Sequence, residues 1–219
     1  MNFSLRIVIM RDSIVRDART LMTNINGKTY AMNAITPMKP WKTFIVRAFF
    51  CLLGFVKSAQ AGLVDLSFIH FARWVIVPRR SFPHLGGSQP QEDLRYDYLL
   101  FFSNFNGTWN QYIDAFSAVL SVGLNLIWDY SVNYPGSVPV TPFKRYISLC
   151  QFDTDYYYSA YPYATTNDVK AALRVQAALD AFAQESAGMK PEEFARAYQR
   201  FVVTVQCDLG QTGRAPEGT

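Results

Sequence analysis

Residues 66–107 constrain the fold more than any other stretch. They read LSFIHFARWVIVP, then a loop carrying Pro and Gly, then YDYLLFFSNFNG. Ile69, Phe71, Trp74, Val75, Ile76 and Val77 are β-branched or aromatic, types that fit a pleated strand, and Pro78 and Pro83 end the run. Residues 98–102 form a second run of the same kind, followed by Ser103, Asn104, Asn106 and Gly107. Successive strand residues face opposite sides. His70, Ala72, Trp74 and Ile76 therefore share one face, and Ile69, Phe71, Arg73, Val75 and Val77 the other. In the second strand Tyr98, Leu100, Phe102 and Asn104 oppose Leu99, Phe101, Ser103 and Phe105. Neither face is plainly polar, so both require cover. Helices cover one face, and the expected cover for the other is a second copy of the sheet.

The flanking segments supply the helices. Residues 28–38 (KTYAMNAITPM) read as a first strand closed by Pro37 and Pro40. Residues 41–57 are the most hydrophobic segment, with Lys42, Arg47 and Lys57 as its only charges. Residues 108–130 carry a helical stripe through Tyr112, Phe116 and Val119, and Thr108 with Gln111 matches a capping box. Residues 133–142 hold three prolines and a glycine and read as a loop; residues 143–149 (FKRYISL) read as a strand. The order is βαββαβ, which predicts an α+β, ferredoxin-like sheet with helices on one face. Two C-terminal helices follow. One runs over 166–187 from a Thr165 or Thr166 cap to Gly188; the other runs over 191–205, opened by Pro191 and two acids. The domain is expected over 28–205. Residues 1–27 read as a basic amphipathic appendage too short in its apolar part for a secretory signal, and 206–219 as a disordered tail.

Charge divides the chain. Residues 1–60 hold nine Lys/Arg against Asp12 and Asp17, a net +7, while the remainder holds 12 basic and 15 acidic residues, a net −3, giving +4 overall. A basic end on a mildly acidic body points to an anionic partner. Membrane phospholipid is preferred. Nucleic acid is set aside because the body is acidic, although Tyr156, Tyr157, Tyr158, Tyr161 and Tyr163 form an aromatic patch near Arg145. Cys51, Cys150 and Cys207 are far apart, which argues against a disulfide scaffold or a zinc site and suits a reducing compartment. The expectation is a cytoplasmic chain, peripheral on the inner face of a membrane. Residues 41–57 fall short of the roughly 20 apolar residues that a span needs. They read either as a core helix of the domain or as a helix lying in the interface, anchored by Trp41, Lys42 and Arg47, with Phe49 and Phe50 inserted. On a helix Ile45, Phe49, Leu52 and Val56 make one apolar stripe; Phe44, Ala48, Cys51 and Phe55 make an adjoining one.

Candidate site residues are few. His70, one of two histidines, is either a hydrogen-bonded core residue or an axial ligand or proton carrier. His84 sits in a Pro/Gly loop and reads as solvated. Arg73 interrupts an apolar strand; burial would require a carboxylate, and an internal ion pair is expected. Trp74, Asn104, Asn106 and Arg145 are the remaining ligand-binding candidates. Asn104, Asn106 and Thr108 stand where a strand meets a helix start, a place that binds anions but more commonly makes a capped turn. GxGxxG, Walker A, GxSxG, HExxH and EF-hand patterns are missing from the sequence, and no metal site is predicted.

HFARWVIV, LLFFSNFNGTW, YPG and PFKRYI resemble segments of an uncharacterised bacterial family. The element order resembles the dimeric α/β barrels, which include haem-dependent dye-decolourising peroxidases, chlorite dismutases and small monooxygenases. That resemblance implies a homo-oligomer joined through the sheet. It also implies, as the alternative to a cofactor-free binding domain, a haem or monooxygenase-type enzyme in which only His70 matches a haem ligand, with Arg73 beside it. The leading expectation is a membrane-associated domain that takes a lipophilic ligand or a protein partner on its open sheet face.

Overall fold

A computed structural model describes residues 24–55, 66–81, 86–90 and 92–210. The basic segment before Asn24, His84, Lys57 and the last nine residues lie outside that range. The described chain is α+β: an open antiparallel sheet of five strands and five α-helices.

Strand β1 (Ile25–Asn26) turns into β2 (Thr29–Met38) through Gly27, whose φ of +61° suits the first position of a tight hairpin turn. A Cβ at Gly27 would sit 1.9 Å from the Pro162 carbonyl oxygen, so the close approach of residues 160–164 also demands glycine. Helix α1 (Thr43–Phe55) leads to β3 (Ile69–Val77), and β4 (Asp97–Asn106) follows. The order across the sheet is β1–β2–β4–β3. The register sets Ile35 beside Leu100 and Leu100 beside Val75. Strand β3 is the last in the sheet, with one edge unpaired among the described residues.

Helix α2 (Trp109–Trp128) starts at the expected cap: Thr108 Oγ1 accepts from Gln111 N while the Gln111 side chain accepts from Thr108 N. It kinks at Leu120 (φ −113°, ψ 20°). The expected strand over 143–149 is instead a helix, α3 (Val140–Cys150). Phe143, Tyr146 and Ile147 are buried at spacings of three and one, and the partly buried Cys150 continues the stripe, a 3.6-residue period. The edge of β2 is occupied by β5 (Gln151–Phe152), which pairs with Asn33 and Ala34.

Helices α1, α2 and α3 cover one face of the sheet, and the core lies between. Tyr30, Met32, Ala34, Met38, Leu99, Phe101 and Phe105 point into it from the strands; Val46, Tyr112, Phe116, Trp128 and Phe143 from the helices. Aromatic stacking orders this interior. Phe105 and Tyr112 lie 3.9 Å apart at 12°, and Trp128 meets Phe101 edge-on at 5.3 Å. Each such ring contributes about 1.5–3 kcal/mol by leaving water.

Helices α4 (Thr166–Glu185) and α5 (Pro191–Val205) form a hairpin. No residue of α4 is fully buried, and α5 buries only Ala197 and Val205. Thr166 N and Oγ1 both donate to Asn106 Oδ1, and Lys28 lies 3.7 Å from Asp168, joining the hairpin to the sheet end. Residues 206–210 continue as a turn in which Asp208 takes the Arg174 guanidinium. At the other end Asn24 is buried, exchanging hydrogen bonds with Asp153 and Thr154.

Candidate functional site

Strand β3 places the first group of candidates. Ile69 pairs with Phe105, but Phe71 pairs with the adjacent Asn104, so His70 is the extra residue of a β-bulge. The bulge turns Ile69 towards the core and leaves Phe71 on the open face, separating two residues that simple alternation puts together. The His70 ring is half-buried and its Nε2 meets no protein partner. Burial lowers its pKa, and a hydrogen bond from the imidazole to the Asn106 side chain works the other way. His70, Phe71, Ala72, Arg73 and Asn104 line an open cleft of about 510 Å³.

Arg73 departs from expectation. It is exposed, and its guanidinium lies 5.1 Å over the Phe102 ring, with no carboxylate paired to it among the described residues. The expected ion pair assumed a covered face; here the face is open and water solvates the charge. Around Arg73 the same face carries Ile35, Val75, Leu100, Phe102 and Phe71, the last 69 % exposed. The far end is covered by residues 153–163. Tyr157 OH accepts from Asn104 Nδ2 at 2.8 Å, and Tyr157 O accepts from Asn26 Nδ2 at 2.9 Å.

The other ligand candidates do not converge. Trp74 points into the core, 5.0 Å from Phe101, with its Nε1 buried and unpartnered. Asn104 holds Tyr157, and Asn106 donates to Lys28 O at 2.8 Å while accepting from Thr166. Both amides are therefore structural. Arg145 is exposed on the outside of α3. Among the described residues no three His, Cys, Asp or Glu side chains gather to hold a metal. A second open cleft, about 460 Å³, is lined by Arg79, Arg80, Glu92, Asp93 and Leu94, two bases against two acids.

Helix α1 carries the second group. A short 3-10 turn, Pro40–Lys42, leads into it. The start of the helix is tied down by Asp97, a buried carboxylate that accepts from Thr43 Oγ1 and, at 2.8 Å, from Arg79 N. Lys42 Nζ lies 4.5 Å from the Trp41 ring and 4.9 Å from the Tyr130 ring, a cation held between two aromatic faces. Val46 is fully buried, and Phe49 and Phe50 pack on the core, Phe50 at 5.9 Å from Trp74. Phe44, Arg47, Ala48, Cys51 and Leu52 are exposed. Their spacing of three, one, three and one is a single helical stripe with one charge in it. Trp41 and Phe44 are each 68 % exposed. Of the two stripes legible in the sequence, the one through Phe44, Ala48 and Cys51 faces outward, joined by Leu52. Among the described residues no helix is long and apolar enough to cross a membrane.

Comparison of the chain with protein-family models, with curated proteins and with solved structures finds no match. The geometry alone carries the functional reading.

Proposed function

We propose that this chain is a binding domain that attaches peripherally to an anionic membrane surface through α1. The single observation that carries the reading is the outward stripe of α1: Phe44, Ala48, Cys51 and Leu52 in the open, Trp41 beside them, and Lys42 and Arg47 as the nearby cations. A soluble surface helix normally turns charge outward. An interfacial helix instead buries its apolar side about 5–10 Å into the headgroup and acyl boundary. Each basic residue near an anionic surface adds about 1 kcal/mol, and long side chains reach back to the phosphates. The ladder in which β5, β2, β4 and β3 lie side by side supports a ferredoxin-like arrangement, and the open face around Phe71 and Val75 is left for a lipophilic ligand or a second copy of the chain.

Flotation with vesicles of phosphatidylcholine alone and of phosphatidylcholine with phosphatidylserine tests the attachment. Wild type is expected to float with the anionic vesicles and to be released by salt. A Phe44→Ser/Leu52→Ser variant is expected to stay behind with its unfolding transition unchanged, since both side chains lie outside the core. Wild type that remains with the lipid-free fraction in both mixtures overturns the proposal.

A haem enzyme is the second reading, favoured by the unpartnered Nε2 of His70. The residues present do not fit the group. The cleft beside His70 is open, carries the exposed Arg73, and does not enclose a macrocycle. A Soret band of bound haem, formed by the wild type and lost on His70→Ala, would reverse this order.

A further inference from the structure

We propose that the bilayer contact is built from two helices, with the outer face of α2 beyond its midpoint entering the acyl region beside α1. This rests on the reading of α1 as membrane-facing. Residues 115–128 of α2 (AFSAVLSVGLNLIW) contain no charged side chain. Phe116, Leu124, Ile127 and Trp128 face inward and are buried. Val119, Val122 and Leu126 face outward and are 50 %, 73 % and 46 % exposed. A helix with one face in the core and an apolar opposite face has been given no water-facing side.

The two outer faces look the same way. Phe50 of α1 and Trp128 of α2 both meet Trp74 of β3, at 5.9 Å and 6.3 Å, so both helices lie on one side of the sheet and pack on it through the same residue. Together they present Phe44, Leu52, Val119, Val122 and Leu126. Arg47 is the one charge within the α1 stripe, and the α2 stretch has its charges only at its two ends. Asp114, paired with Lys144 at 2.7 Å, precedes the uncharged stretch, and Asp129 follows it near the Lys42 cluster.

The occupant is a lipid bilayer because the α2 half of the surface offers a single polar side chain for a protein to read, and the charges beside it on α1 are cationic, as an anionic bilayer requires. Protein interfaces carry about one hydrogen bond per 100–200 Å². Asn125 is the one exposed polar residue in this half of α2, and its Oδ1 already accepts from Tyr134 OH at 2.9 Å and Ser137 N at 3.0 Å. Hydrocarbon asks for no such partner.

An environment-sensitive nitrobenzoxadiazole label tests this in the full chain. One probe sits on native Cys51 with Cys150→Ala and Cys207→Ser. The other sits on Val122→Cys with Cys51→Ser added to the same changes. Both variants are checked for wild-type unfolding. On vesicles of equal parts phosphatidylcholine and phosphatidylserine, both labels are expected to shift to the blue and to be quenched by doxyl groups on the acyl chains. In a separate, unlabelled arm, Val122→Ser/Leu126→Ser is expected to weaken vesicle partitioning about tenfold. A shift at Cys51 without one at residue 122 overturns the two-helix contact and leaves the α1 reading standing. No shift at either position removes both. A residue-122 label already blue without lipid means that the chain or a second copy covers this face, and also overturns the inference.

Discussion

The carboxylate of Asp97 is buried at the start of β4 and joins two other segments, accepting from Thr43 Oγ1 at the head of α1 and from Arg79 N after β3. Asp97→Ala leaves both donors without this acceptor, Thr43 Oγ1 in the interior and Arg79 N part-buried. Hydrogen bonds to a charged group contribute about 1.5–3 kcal/mol. The expected loss of unfolding free energy is about 3 kcal/mol, read from urea denaturation, with Asp97→Asn losing less because it keeps one acceptor. A loss below about 1 kcal/mol for the alanine variant would show that the two donors find other partners. Nothing in the sequence marks this residue, because its partners lie 54 and 18 positions away. The same holds for the candidate site. His70 and Arg73 were legible as unusual residues in an apolar strand. The bulge that moves His70 out of register, and the open face that frees Arg73 from any need for a carboxylate, are products of strand pairing. Asn104 and Asn106 carry the right chemistry for an anion, yet their amides are spent on Tyr157, Lys28 and Thr166.

Long periodic elements were the most legible. Strands β2, β3 and β4 and helices α2, α4 and α5 fall within a few residues of the expected bounds, and the Thr108–Gln111 cap forms as written. The exception is instructive. Residues 143–149 contain Phe143, Tyr146, Ile147 and then Cys150, a helical period, but β-rich types in a short run masked it. Helix α4 raises a different question, since none of its residues is fully buried and its partner α5 buries two. Its stability rests on the pairing with α5, on the ring cluster of Phe182, Phe194, Tyr198 and Phe201, and on the cap at Thr165. Hydrogen exchange is expected to be faster in α4 and α5 than in β2 and β4 at every pH where both are measured, since sub-global opening follows the least buried unit. Equal protection would mean that the hairpin opens only with the sheet. The cap also carries a pH signature. The backbone N–H of Thr165 is the first of the groups that lower the Asp168 pKa, with Lys28 adding to it. A carboxylate depressed in the fold stabilises it above its unfolded pKa of about 3.9 and ceases to do so as pH falls through the folded value. The stability difference between wild type and Asp168→Asn is therefore expected to be present at about pH 7 and to vanish as pH falls through the folded value; a difference that survives below it would assign it to something other than charge.

At the scale of the whole molecule, three surfaces are apolar and open among the described residues: the α1 stripe, the outer half of α2, and the sheet face around Phe71. The first two look to one side of the domain and the third to the other, so a domain lying on a bilayer by its helices would hold its sheet towards the solvent. Any ligand or second copy then approaches from the side away from the lipid. Among the described residues the outer edge of β3 is unpaired and stands at the border of that exposed sheet, nine residues of largely apolar strand. A second β3 laid antiparallel in full overlap would match Ile69 with Val77 and Phe71 with Val75, and would set Arg73 directly against its own copy. Like charges opposite one another disfavour that pairing, and a charge within an edge strand is a known defence against templated growth. The guanidinium over Phe102 is thus expected to oppose fibril growth, a task unrelated to any ligand. Arg73→Val is expected to give a protein that folds, yet binds thioflavin and precipitates at concentrations where wild type stays clear. Equal solubility of the two would return the residue to the ordinary role of a solvated charge.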